Sequence, residues 1–131
     1  MTERPFPIPD RDTAPFWEGA RRGELRIQRC AACGRHVFYP RAVCPHCMSD
    51  RLDWVRASGR GTVHTFTVVH RTTDEFSADL PFPVGLVDLE EGIRMMARLD
   101  VREPVVGMPV EVFFERVDDQ LSLPHFKEVE E

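Results

Sequence analysis

Every second residue is apolar along much of the chain after residue 54. In the segment IRMMARL the apolar positions that share one face are Ile93, Met95, Ala97 and Leu99. A period of two is typical of a half-buried β-strand. Related patterns in GRGTVHTFTVVHR, PVGLVDL and PVEVFFERV predict three more strands, and LSLPHF predicts a short last edge strand limited by Pro124.

This pattern favours a small antiparallel barrel. PVGLVDL and IRMMARL form a predicted hairpin around the turn EEG, while Gly59 and Gly61 permit a bulge or bend where the first barrel strand begins. Four or five antiparallel strands with a bent first strand indicate an OB-fold, a five-stranded Greek-key barrel. We therefore expect residues 54–131 to form an OB-fold barrel, although the pattern alone leaves other small β-barrels open.

The first part of the chain, residues 1–53, predicts an arm, a helix and a ribbon. Three prolines before residue 12 favour an extended arm. Thr13 is a predicted N-cap, and Gly23 a predicted stop, for a helix of about two turns that carries Phe16 and Trp17. ELRIQRC and HVFYP then predict two strands of a β-ribbon.

Two C-x-x-C pairs lie on this ribbon, within the stretch CAACGRHVFYPRAVCPHC. The four cysteines are Cys30, Cys33, Cys44 and Cys47. Zinc prefers four tetrahedral ligands, and two such pairs supply four thiolates, as in a rubredoxin-like zinc ribbon. Because full cysteine coordination leaves no open position for water, we expect one structural zinc ion and no hydrolytic role for it.

Three other interpretations of the cysteines are weaker. Iron binds the same four thiolates, and the sequence does not separate iron from zinc. A thioredoxin-like redox pair expects one C-x-x-C at a helix start in an α/β fold, which this chain does not predict. His36 or His46 could replace a cysteine, but all four cysteines are in place, so we expect both imidazoles to lie outside the ligand set.

Composition and charge narrow the function classes. The 131 residues are 42% hydrophobic and 30% charged, which is typical of a globular protein, and the net charge is −5. No apolar stretch is long enough for a membrane span, and the start lacks a secretory pattern, so we expect a cytoplasmic protein. Residues 61–131 carry 6 basic against 15 acidic residues. This excess of negative charge argues against single-stranded nucleic-acid binding, which needs a positive groove.

No catalytic set is evident in the sequence. The remaining candidates are His64, His70 and His125, and the chain has no G-x-S-x-G, phosphate loop or H-E-x-x-H. With the cysteines assigned to a metal, no nucleophile stands beside a base. We therefore expect a protein without its own catalytic residues.

The chain resembles the DUF35 family, zinc-ribbon plus OB-fold proteins associated with acyl-CoA metabolism. The resemblance rests on four segments in order: PFWEGARRGELRIQRCAACGRHVFYPRAVCPHC, GRGTVHTFTVVHR, FPVGLVDLEEGIRMMARL and GMPVEVFFERVDDQLSLPHF. It implies zinc at the four cysteines. It also implies a non-catalytic subunit of a hetero-oligomer that supports a thiolase, a thiolase-like aldolase or a hydroxymethylglutaryl-CoA synthase and helps to hold acyl-CoA.

The long connection HRTTDEFSADLPFP is the predicted contact region, because long loops often carry binding sites. The candidate contacts to a partner or to acyl-CoA are Phe16, Trp17, His70, Arg71, Phe76 and Phe82. Two alternatives stay open. Instead of contacting a ligand or partner, the phenylalanines of this connection could simply close the barrel end. Instead of an accessory subunit, the protein could be a free-standing acyl-CoA binding module that needs no partner.

Overall fold

The computed structural model describes residues 7–73 and 80–129. Within them lie one helix and eight strands: α1 Ala14–Arg21, β1 Arg26–Cys30, β2 His36–Val37, β3 Leu52–Arg56, β4 Arg60–Val69, β5 Phe82–Leu89, β6 Arg94–Asp100, β7 Pro109–Arg116 and β8 Ser122–Glu128. The predicted mainly β class is confirmed. No helix in these ranges has the length and apolar character that crossing a bilayer requires.

Strands β4 to β8 form a closed barrel in the order β4-β5-β6-β8-β7. Strand β4 pairs with both β5 and β7, which closes the barrel, and β8 runs parallel to β6 and antiparallel to β7. Five strands in a closed Greek-key arrangement define the OB-fold. The predicted five-stranded OB-fold barrel is therefore confirmed.

The prediction that the last strand lies at an edge was wrong, because β8 lies between β6 and β7. Pro124 fits there because it pairs with Phe114 of β7, while pairing with β6 begins one residue later, at His125 opposite Arg98. A proline lacks a donor only at its own position. The N–H that Pro124 lacks is therefore not needed for the pairing of β8 with β6.

A glycine with a positive φ precedes β4, and the bulge lies further along the strand than the predicted position at its start. Gly59 has a φ of +79° just before the strand, a conformation that favours glycine. The register with β5 shifts between Val63 and Thr65, so His64 is the extra residue of the bulge. Gly61 lies so close to β5 that a Cβ there would overlap the carbonyl oxygen of Asp88.

A hydrogen-bonded turn begins helix α1. The carboxylate Oδ1 of Asp10 accepts hydrogen bonds from the Thr13 N–H and from the Thr13 hydroxyl, both at 2.9 Å. These two bonds lower the pKa of Asp10, and the bond from the Thr13 N–H has the larger effect. Thr13 is the N-cap residue as predicted, but its side chain makes no capping hydrogen bond to the helix. Gly23, with a φ of +77°, follows the end of the helix as predicted.

Strand β1 lies at the centre of the ribbon sheet, which has the order β2-β1-β3. Gln28, a polar residue next to the apolar Ile27 in β1, is buried. Its amide forms two hydrogen bonds with the backbone of Arg41, at 2.9 and 2.8 Å, so the buried polar group is satisfied. Strand β3 spans Leu52–Arg56, so the predicted boundary between residues 53 and 54 falls inside it and stays a prediction.

One buried cluster joins the helix, the ribbon and the barrel. Phe16 of α1 and Leu25 and Ile27, at the start of the ribbon, pack in the same core as the barrel residues Val87, Leu99 and Phe126. The connection from β3 to β4 is also fixed to the barrel, because the Ser58 N–H donates a hydrogen bond to the Glu91 carboxylate, between β5 and β6, at 2.8 Å. The ribbon is thus packed directly on the barrel.

We expect Gly61→Ala to destabilise the protein by about 1–3 kcal/mol, because the added methyl group must displace the backbone of β5. Urea unfolding of the zinc-loaded protein measures this change. The control is Thr62→Ala at the next position, which is exposed and should change stability by less. Equal stability of the two variants would contradict the close approach of β4 and β5.

Candidate functional site

The two cysteine pairs lie in two turns of the same construction. In the first turn the Gly34 N–H donates to the Cys30 carbonyl at 2.8 Å, and in the second the Met48 N–H donates to the Cys44 carbonyl at 2.9 Å. Gly34 and Met48 therefore occupy equivalent positions, and both have a positive φ, +78° and +66°. Each turn brings the two cysteines of its pair to the same side.

The four sulfur atoms fit a tetrahedral metal ion. The Cys30 and Cys47 sulfurs are 3.6 Å apart, those of Cys33 and Cys44 are 3.8 Å apart, and all four lie within 4.8 Å of one another. A zinc–sulfur bond of about 2.3 Å in a tetrahedron places sulfurs roughly 3.8 Å apart. These four cysteines would hold the zinc ion.

Backbone N–H groups point at the sulfurs and favour thiolates. The Cys33 N–H donates to the Cys30 sulfur at 3.5 Å, and this bond is the main cause that lowers the pKa of the Cys30 thiol to about 6. The Ser49 N–H lowers the pKa of Cys47, but burial and the hydrogen bonds to neighbouring sulfurs outweigh it and raise that pKa to about 11. A bound cation favours the deprotonated form of all four thiols.

The two histidines near the centre remain outside the four-sulfur group. Only the four cysteines form a possible metal cluster within residues 7–73 and 80–129. The His46 ring places Nδ1 3.2 Å from the Arg35 guanidinium, while His36 begins β2 and pairs with Arg29 of β1.

The core around the metal centre is very small. It consists of Cys30, Val37 and Cys44, with Leu52 packed against it. Two of its three buried residues are metal ligands, so apolar burial contributes little there without the ion. The ribbon therefore has two unlike ends: the start of β1 belongs to the barrel core, and the cysteine turns depend on coordination.

The structure brings the predicted contacts Phe16 and Trp17 together on helix α1. Their ring centroids are 4.9 Å apart in an edge-to-face arrangement. Phe16 is only 6% exposed and packs in the core, whereas Trp17 is partly exposed. Phe16 therefore offers little surface of its own, whereas Trp17 offers part of its side chain to a contact.

An apolar groove lies beside this helix. We call it the helix groove; its volume is about 180 Å³, and it is lined by Thr13, Phe16, Trp17, Phe38, Tyr39, Pro40, Met95, Met96 and Pro124. Tyr39 and Met96 are 58% and 59% exposed. The sequence analysis named neither residue as a candidate. Met96 could have been found, because it is apolar and lies on the same face of β6 as two arginines.

The other predicted contacts lie at the barrel end near the β4–β5 connection. His70 and Arg71 are exposed just after β4, and Phe82 pairs with Val69. Phe76 lies outside the described residues. The Arg98 guanidinium, which the sequence analysis missed, stacks over the Phe82 ring at 3.9 Å, a cation–π contact.

A second groove, which we call the barrel-end groove, opens there with a volume of about 510 Å³. Its lining residues are Pro81, Phe82, Pro83, Arg98, Leu99, Asp100, Val101, Arg102, Phe113, Glu115 and His125. His125 Nε2 lies 3.0 Å from the Glu115 carboxylate. The two grooves share no lining residue, so the predicted contacts form two sets.

Two family models match adjoining parts of the chain. Residues 17–53 match the ChsH2 rubredoxin-like zinc ribbon domain, and residues 54–115 match the ChsH2 C-terminal OB-fold domain. A solved structure described as Ltp2-ChsH2(DUF35) aldolase superposes with a TM-score of 0.83 and 37% identity, over 94% of this chain and 98% of that chain.

Curated relatives carry names of several kinds. A DUF35 domain-containing scaffold protein of Methanothermobacter thermautotrophicus is 33% identical over 76% of this chain and 77% of its own length. Benzoylsuccinyl-CoA thiolase subunit BbsA of Thauera aromatica is 29% identical over 76% of this chain and 61% of its own. A probable enoyl-CoA hydratase alpha subunit of Thermomonospora curvata is 39% identical over 95% of this chain, which spans only 40% of that protein.

The fold and the cysteine cluster define a zinc-ribbon protein with an OB-fold barrel. The chain belongs to the DUF35 family, as the resemblance predicted.

Removing zinc is expected to unfold the cysteine turns while the barrel persists. Hydrogen exchange, with and without chelator, should show amides between residues 30 and 51 losing protection and amides of β5 and β6 keeping it. Cys44→Ser should bind less than one zinc ion per chain, whereas the control Ala31→Ser, at an exposed position, should bind one. Full protection of the turns in the metal-free protein would contradict this account.

Met48→Gly is expected to stabilise the zinc-loaded protein by about 1 kcal/mol, because glycine adopts a positive φ without the steric cost that methionine bears. The Met48 side chain is 76% exposed, so little packing is lost. Met48→Ala is the control, since alanine keeps that cost. Urea unfolding that ranks glycine no higher than alanine would show that this position is unstrained.

Proposed function

We propose that the protein is a non-catalytic accessory subunit that binds and supports a thiolase-type enzyme in acyl-CoA metabolism and helps to hold acyl-CoA. The partner class includes thiolases, thiolase-like aldolases and hydroxymethylglutaryl-CoA synthases. One observation carries the proposal: the chain matches 98% of a DUF35 chain in a structure described as an aldolase, at 37% identity. Because the match is nearly complete, the whole described fold corresponds to such a subunit.

The names of two relatives support the same role. One is called a scaffold protein and the other a thiolase subunit, and both match about three quarters of this chain. The hydratase subunit of Thermomonospora curvata is much longer than this chain, so its enzyme name can refer to a part that this chain does not match. A supporting role is therefore the better inference for the matched part.

The barrel-end groove has groups suited to the nucleotide part of coenzyme A. Arg98 and Arg102 line it, and Arg71 is exposed in the β4–β5 connection, whose last residue, Pro81, also lines the groove. Guanidinium groups bind phosphates through forked donors, and aromatic rings such as that of Phe82 stack on flat rings. Asp100 and Glu115 line the same groove, so the phosphates would have to contact the arginines and avoid these two carboxylates.

Trp17 offers a separate contact for the enzyme partner. It lies in the helix groove, which is almost wholly apolar, and aromatic residues are enriched where protein interfaces are most buried. In this proposal the helix groove binds protein and the barrel-end groove binds acyl-CoA. His70, Arg71 and Phe82 then contact the ligand or the partner enzyme beside it.

A free-standing acyl-CoA binding module is the second candidate, and the size of the barrel-end groove in the isolated chain favours it. The two candidates differ in one measurable property. A free-standing module binds coenzyme A by itself, whereas an accessory subunit shows little affinity alone and gains it in the complex. Isothermal titration of the protein with coenzyme A, with and without the purified enzyme partner, separates them.

Arg71→Ala is expected to weaken binding of the partner enzyme or of coenzyme A by about tenfold, which corresponds to 1.4 kcal/mol. Titration measures both affinities, and the Michaelis constant of the complex for its acyl-CoA gives a third measurement. The matched control is Arg51→Ala, an exposed arginine in the ribbon. If Arg71→Ala leaves partner binding, coenzyme A binding and partner activity all intact, the β4–β5 connection has no role in the function.

A further inference from the structure

The arm before helix α1 exposes a large apolar side chain. Ile8 is 88% exposed, and Pro7 and Pro9 lie on either side of it. Proline restricts φ and lacks an N–H donor, so this tripeptide favours the extended polyproline II conformation. In the isolated chain the Ile8 side chain buries almost nothing, and docking it against an apolar surface would remove that area from water.

The helix groove has the chemistry that binds such a segment. Trp17, Phe38 and Tyr39 supply aromatic side chains, and Pro40 and Met96 complete an apolar rim. Grooves lined by aromatic residues bind proline-containing extended segments because the bound conformation is already formed. Its volume of about 180 Å³ exceeds the roughly 150 Å³ of an apolar cavity that holds benzene, so it can accept an isoleucine side chain.

The turn before α1 leaves the arm outside the groove of its own chain. Asp10 holds Thr13 through two hydrogen bonds of 2.9 Å, and its carbonyl accepts from the Ala14 N–H at 2.8 Å. Thr13 lines the helix groove, yet all of residues 7–10 are exposed and none lines it. The arm therefore ends beside the groove, at Thr13, and its residues 7–10 are accessible to a second molecule.

We propose that two copies of this chain exchange arms, so that Pro7, Ile8 and Pro9 of each copy lie in the helix groove of the other. The exchange is reciprocal, which gives a twofold-symmetric dimer. One arm alone buries less than the roughly 1,000 Å² of a stable interface, but the second contact forms within the same complex at high effective concentration.

This inference does not rest on the proposed function. An enzyme partner that contacts Trp17 would compete with the arm for the helix groove, and the dimer is measured on the purified protein alone. Failure of the dimer therefore leaves the accessory role untouched, and failure of partner binding leaves the dimer untouched.

Sedimentation velocity of the purified, zinc-loaded full chain at concentrations up to about 1 mM tests the exchange. We expect a concentration-dependent species of twice the chain mass. Ile8→Asp in the arm and Met96→Glu in the groove should each raise the dissociation constant at least about tenfold, because each places a charge in an apolar contact. The controls Val106→Asp and Val105→Glu change valines that are 62% and 60% exposed and lie outside the groove, and should leave it unchanged.

A mixing experiment identifies the contact. The Ile8→Asp chain keeps its groove and the Met96→Glu chain keeps its arm, so a mixture of the two should associate more strongly than either variant alone. Thermal unfolding checks that both variants fold; if Met96→Glu does not, the Ile8→Asp result decides. A monomeric wild-type protein, a dimer that Ile8→Asp does not weaken, or a mixture of folded variants that gains no association would overturn the exchange.

Discussion

A buried core shared by the ribbon and the barrel fixes the positions of all the candidate surfaces. Leu25 and Ile27 pack with Phe16 in the same cluster as the barrel interior. Because protein interiors are densely packed, the ribbon cannot turn relative to the barrel without opening this core. The helix groove, built from helix, ribbon loop and barrel residues together, exists only while that packing holds.

A zinc ion at the four cysteines would stabilise the part of the chain that this core does not reach. The turns around Cys30 and Cys44 have only Val37 and Leu52 as apolar neighbours in their own cluster, so coordination replaces burial there. The loop that leads to Tyr39 and Pro40 lies between the two cysteine pairs. A bound zinc ion would hold the two turns on either side of this loop, while Phe38 of the loop itself packs against the shared core.

Individual strands and the cysteine cluster could be predicted from the sequence. Which strands lie side by side, and which distant side chains meet, could not. The alternation in IRMMARL and the spacing of the cysteines are short-range signals, and both the barrel strand and the four-sulfur cluster agree with them. The place of β8 between β6 and β7 depends on barrel closure, which no local pattern encodes. Arg98 and Phe82 meet only through the pairing of β5 with β6, so the barrel-end groove could not be assembled from the sequence.

In the proposed role the helix groove would bind protein and the barrel-end groove would bind ligand, and the shared core would hold the two grooves in place. Recovery of the tagged protein from its native extract, with mass spectrometry of the retained proteins and zinc measured on the same eluate, tests this claim most directly. The account predicts a thiolase-fold enzyme in near-stoichiometric amount and one zinc ion per chain. Recovery with one zinc ion but without any acyl-CoA enzyme would contradict it.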